Sequence, residues 1–219
     1  MKLKKVAALC KKHKRALIFQ QWKYPSTGGP KYLAKQFISD GYAAYSAHGL
    51  PELTKESLLR IFDVKQEDFE KWRVSVDELP DSLDFRDDID DETRIETFYW
   101  PIVRNDETIY VFGTEENGVL FAKEDHIAAV GDSGYRIYFE RRTRESGNPY
   151  IAVKNGVMLE AIILPTNILT ESVIQDFRDL AFRMQKELIN RSLPKITLDQ
   201  EQIQKADEPE EPEQMGMLP

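Results

Sequence analysis

Three histidines, one cysteine and a run of aspartates are the residues of this chain that could hold a metal or move a proton. His13, His48 and His126 share no metal-ligand spacing and form no Cys–His cluster, so a zinc site is not predicted. Glu124-Asp125-His126 reads as a polar turn between strands. Asp87, Asp88, Asp90 and Asp91 are the right ligands for a hard cation such as Mg²⁺ or Ca²⁺. The glycine and glutamate that complete a Ca²⁺ loop at its sixth and twelfth positions are missing, however. Gly28-Gly29 lacks the Lys-Ser/Thr ending of a phosphate loop, and no Gly-x-Ser-x-Gly elbow is present. Cys10 lies on the apolar side of a predicted helix, where a thiol is buried and inert. These residues assign no catalytic group, no metal and no cofactor. A metal-dependent enzyme built on the 87–91 aspartates is the minor alternative.

Charge is the stronger signal, because it is sorted into blocks. Residues 1–39 carry ten Lys or Arg and no acid. Residues 77–92 carry nine acids against one base, Arg86, and the tail from Asp199 carries seven against Lys205. A net charge of −8 therefore conceals a basic body. Such segregation serves electrostatic contact with a partner. Lys4, Lys5, Lys11, Lys12 and Arg15 lie along the first helix and could neutralise phosphates. Arg141 and Arg142 are the core of a second basic group, with Arg136 and Arg144. No recognition helix or RNA-binding motif accompanies them, so the expected DNA contact is not sequence-specific. The competing reading is a solvated helix face balanced by the protein's own acids.

These residues need elements to position them. Leu3, Val6, Ala7 and Cys10 follow the helical period, predicting a helix over 3–15. Strands are predicted at 16–20, 36–39, 42–47 and 72–76, with a helix capped by Thr54 between the last two. Residues 93–165 read as hairpins, with Asn117-Gly118 and Asn155-Gly156 as turns. Val173, Ile174, Phe177, Leu180, Ala181, Met184 and Leu188 predict an amphipathic helix from Thr170. The nine acids of 77–92 predict a solvated, mobile loop. The expected class is α+β: antiparallel sheet with a basic N-terminal helix, an amphipathic C-terminal helix and a disordered acidic tail. The expected divisions are 1–76, an acidic linker 77–92, 93–191, and the tail 192–219.

The chain has 219 residues, 41% of them apolar, enough for a core. No apolar run approaches the roughly 20 residues of a membrane span, and Lys11, Lys12 and Lys14 interrupt any signal-peptide core. A lone cysteine suits a reducing, cytoplasmic setting, with no membrane contact.

Gln214-Met215-Gly216-Met217-Leu218 resembles the bacterial sliding-clamp binding pentapeptide, with Met in place of Leu at its second position and no final Phe. Gln214, Met215, Met217 and Leu218 would then dock a host replication protein. The acidic run before them resembles the docking tail of single-stranded DNA-binding proteins. Residues 36–45 (QFISDGYAAY), Gly49-Leu50-Pro51, residues 59–63, residues 150–156 and Ile162-Ile163-Leu164-Pro165 resemble small uncharacterised proteins of temperate phages and mobile elements in Gram-positive bacteria. The order from Gly118 to Pro165 and the opening Met1-Lys2-Leu3-Lys4-Lys5 are similar to phage DNA sliding clamps. That likeness implies a ring of several copies around DNA. The expectation is a non-catalytic phage-type DNA replication or recombination accessory protein. Its rival is an acidic inhibitor that mimics DNA and binds a host protein.

Overall fold

The computed structural model describes residues 1–97, 101–104, 106–114, 118–131 and 137–168, with Gln175, Arg178, Asp179, Phe182 and Arg183 of a helix beyond them. Two compact units result, 1–168 and 169–219. In the second, Gln175 donates to Asp179 at 2.9 Å one turn on, and Phe182 is exposed. The apolar stripe expected at 173–188 and the tail residues 214–218 lie outside the described residues.

The first unit opens with α1 (Leu3–His13), which buries Val6, Ala7, Leu9 and Cys10. Lys14 ends the helix in the left-handed conformation at φ 46°. Among the described residues eleven strands follow: β1 (Arg15–Lys23), β2 (Tyr32–Ser39), β3 (Ala43–Ser46), β4 (Arg73–Glu78), β5 (Thr93–Thr97), β6 (Ile102–Arg104), β7 (Glu107–Thr114), β8 (Gly118–Lys123), β9 (Ile137–Thr143), β10 (Pro149–Asn155) and β11 (Met158–Ile163). They join in the order β4-β1-β2-β3-β11-β10-β9-β5-β7-β6, with β8 on β7. Every pair is antiparallel except β1 with β4, which is parallel. The fold is α+β, as the sequence predicts, with a mixed sheet. Pairing of β3 with β11 carries the sheet across the division expected between 76 and 93.

Among the described residues two further short α-helices pack on the strands. In α2 (Lys55–Ile61), Thr54 and Ser57 form a reciprocal capping box, as Thr54's position suggests. In α3 (Glu124–Val130), Glu124 and Asp125 occupy the first turn, where the helix dipole favours acids. The expected turn at 124–126 is thus the start of a helix. Among the described residues no helix is long and apolar enough to cross a membrane.

Alternation along β10 divides its side chains between two cores. Ile151 and Val153 join the helices α1, α2 and α3, whose buried residues include Leu9, Leu58 and Ala129. Tyr150 and Ala152 face the other way, with Phe37, Ile162 and Phe85. Phe85 belongs to the acidic segment, and its ring centroid lies 4.8 Å from that of Phe37. Leu79 and Leu83 pack there too. The segment is therefore the cover of the second sheet face rather than a solvated loop.

Buried cations hold that cover down. Arg142, fully buried, donates to Glu92 and to the carbonyls of Asp84, Arg86 and Asp87. Lys154, 3% exposed, donates to Glu92 Oε1 at 2.6 Å and lies 3.1 Å from Glu140. Lys35 reaches Asp87 at 2.7 Å. Asp84 pairs with its neighbour Arg86. Internal cations thus offset acids whose mutual repulsion would otherwise favour a solvated chain.

Candidate nucleic-acid interface

The last turn of α1 carries Lys11, Lys12 and His13 where the helix dipole favours cations. The left-handed turn at Lys14 then sends the chain into β1 at Arg15. At the sheet edge β4 runs parallel to β1, and Arg73 is the register partner of Arg15. The Arg73 N–H donates to the Lys14 carbonyl at 2.9 Å, which locks the two strand starts together. Lys71 ends the 3₁₀ turn Gln66–Lys71 just before β4.

These bases surround a cleft of about 490 Å³, lined by His13, Lys14, Arg15, Asp40, Tyr42, Lys71 and Arg73. A second concavity, about 310 Å³, shares Lys14 and Lys71 and adds Lys11 and Lys65. Lys71 is partly neutralised by Asp68 at 2.6 Å. Lys11, Lys14, Arg15 and Arg73 have no ion-pair partner among the described residues.

The one acid lining the first cleft is already engaged. Asp40 Oδ1 accepts the N–H groups of Tyr42 and Ala43, each at 2.9 Å, and Oδ2 lies 3.1 Å from His126 Nε2. Burial would push the Asp40 carboxyl up, but the His126 hydrogen bond and the two backbone N–H groups outweigh it and hold it below its usual range. An ionised Asp40 only accepts, so Nε2 of His126 carries the proton. His126 is buried and serves as this counter-group. Tyr42 itself is 58% exposed.

The expected DNA-binding residues separate. Lys4 and Lys11 are seven apart, on one line of α1 that leads to Lys14 and Arg15. Lys5 and Lys12 lie on another line, and Lys12 pairs with Asp125 of α3 at 2.6 Å. Arg142, expected on DNA, is instead sealed under the acidic segment and reaches no phosphate. Glu140 and Lys154, on the same face, are also buried. Arg141 points to the other face, half-buried, on β9, five strands along the sheet from β1. Of the aspartates weighed as cation ligands, Asp87 is occupied by Lys35 and by the Leu159 N–H. Cys10 is buried, and burial pushes its thiol up to about 12.

Lys65, Lys71, Arg73 and Tyr42 carry no local sequence signal for this site. The first three lie some fifty to sixty positions from Lys14 and Arg15, and only the β1–β4 pairing unites them. No protein-family model, curated protein or solved structure matches this chain.

Proposed function

We propose that the chain is a non-catalytic DNA-binding accessory protein, of the kind phages carry for replication or recombination. It grips phosphates without reading sequence. The observation that supports this most is the register pairing of Arg15 with Arg73 in a cleft shared with Lys14 and Lys71. Two guanidinium side chains placed opposite each other on neighbouring strands repel, and a bound phosphate relieves that repulsion. Lys11 and Lys4 extend the track along α1. The tail residues 214–218 serve a second contact, with a host replication protein. A ring of copies is the clamp-like form of this reading, and light scattering of the protein with and without DNA tests it.

The rival reading, an acidic mimic, would draw on Asp77, Glu78, Asp81, Asp88, Asp90 and Asp91, which are exposed, while three acids of the segment are used internally. Asp84, Asp87 and Glu92 are bound to Arg86, Lys35, Arg142 and Lys154. The test is fluorescence anisotropy of a labelled oligonucleotide with the wild type and with a Lys14→Gln/Arg15→Gln/Arg73→Gln variant. Loss of three phosphate contacts should flatten the plot of log K against log salt by about 0.7 for each contact on a single strand, hence about 2 in all. Equal affinity and equal slope would refute the assignment.

A further inference from the structure

Resting on that reading, we infer that the bound polymer is a single strand and that one of its bases stacks on Tyr42. An exposed tyrosine alone would say little, but this one is held. Gly41, at φ +100°, and the Asp40 carboxylate shape the turn that presents it. The Ser39 hydroxyl oxygen accepts the Gly41 N–H at 3.0 Å. The Tyr42 N–H is fixed by Asp40, and its carbonyl accepts from the Leu164 N–H at 2.9 Å. Both backbone groups of the residue are therefore anchored, one to the buried Asp40 and one to Leu164 at the end of β11. A platform fixed before binding loses little entropy when a ligand arrives.

The ring is also placed where a nucleotide would need it. It lies 6.4 Å from the His13 ring and 6.3 Å from that of His126, the latter nearly parallel at 22°. Tyr42 lines the cleft that holds Lys14, Arg15, Lys71 and Arg73. It also lines a neighbouring cleft of about 500 Å³ that includes Lys12, Asp125 and His126. Each volume lies within the range of small-ligand sites. The Arg15 guanidinium lies against Gly41, next to Tyr42: a Cβ built on Gly41 would be 3.6 Å from Arg15 Nη1. An aromatic face thus adjoins a phosphate-binding group within one concavity. That combination of a stacking ring and a basic groove suits splayed bases and a flexible backbone. A duplex keeps its base faces stacked inside and would leave Tyr42 unused.

The experiment compares a labelled 20-nucleotide oligo-dT with the duplex it forms with oligo-dA, by anisotropy on the full chain. The single strand should bind more tightly. Tyr42→Ala should weaken single-strand binding by about 5- to 150-fold, the range for one lost stacking contact, and leave duplex binding and the salt slope unchanged. Tyr42→Phe, which keeps the ring, should stay near wild type and guards against a folding defect. Equal affinity for the two forms, with Tyr42→Ala behaving as wild type, would overturn this inference and leave the phosphate-binding reading standing. No binding of either form at low salt would overturn both.

Discussion

Arg15 and Arg73 face each other across the parallel pair β1–β4, two cations at the same level of adjacent strands. Among the described residues neither has a carboxylate within ion-pair distance. Like charges directly opposite destabilise a sheet, and an arrangement that lowers stability persists where it serves binding. Arg73→Gln should therefore raise unfolding stability by about 0.2–1 kcal/mol. The same change should weaken oligonucleotide binding. Urea denaturation and anisotropy on one preparation check the opposite signs.

Arg142 should behave in the reverse manner. It is fully buried, and its removal takes a donor from Glu92 Oε2, whose Oε1 keeps Lys154, and from three carbonyls of the acidic segment. Arg142→Gln is expected to lower stability by about 3–5 kcal/mol, the loss typical of breaking a buried ion pair from one side. Amide exchange in residues 84–92 should accelerate with it. DNA affinity measured on the folded fraction should not change.

The same cluster sets an acid limit. Burial alone would raise the Glu92 carboxyl, but hydrogen bonds from Lys154 and Arg142 prevail and lower it from 4.5 to about 2. A carboxyl lowered by folding gives stability that is complete above its unfolded value and lost as pH falls through its folded one. The loss should thus run from about pH 4.5 down to about pH 2. Glu140 has the opposite sign: burial, then the neighbouring Glu92 carboxylate, raise it. Its share of stability is complete below its unfolded value and declines as pH rises through the folded one. In Glu140→Gln the decline that begins as pH rises past about 4.5 should vanish while the acid limb from Glu92 remains, read by denaturant midpoints from pH 2 to 8.

Gly41 gives a separate check on the turn beneath Tyr42. At φ +100° an L-residue is strained, and a side chain would also touch the Arg15 guanidinium. Gly41→Ala should lower stability by about 1 kcal/mol or more. It should weaken single-strand binding beyond what that loss of folded protein explains. A stability loss with unaltered affinity of the folded protein would separate the turn from the platform.

Local signals were readable where short-range physics decides. The Asn155-Gly156 turn does join β10 to β11, with Gly156 at φ 61°. Thr54 caps α2, and the alternation after Trp72 marks β4. α3 is not legible in the sequence, because seven residues carry too few apolar repeats to stand out from a polar turn. The acidic segment misled for a different reason. Its charge density argued for solvation, while Leu79, Leu83 and Phe85 and two distant cations decided for packing. Lys11 and Arg15 were legible as half of the interface. The other half, Lys71 and Arg73, depends on a parallel pairing of strands far apart in sequence, which no local pattern encodes.

The most direct single measurement is the salt dependence of oligonucleotide binding by the full chain. Binding through Lys11, Lys14, Arg15 and Arg73 should give a linear fall of log K with log salt, with a slope of about −0.7 for each phosphate neutralised on a single strand, hence about −3 in all. Absence of binding at low salt, or an affinity indifferent to salt, would contradict the account.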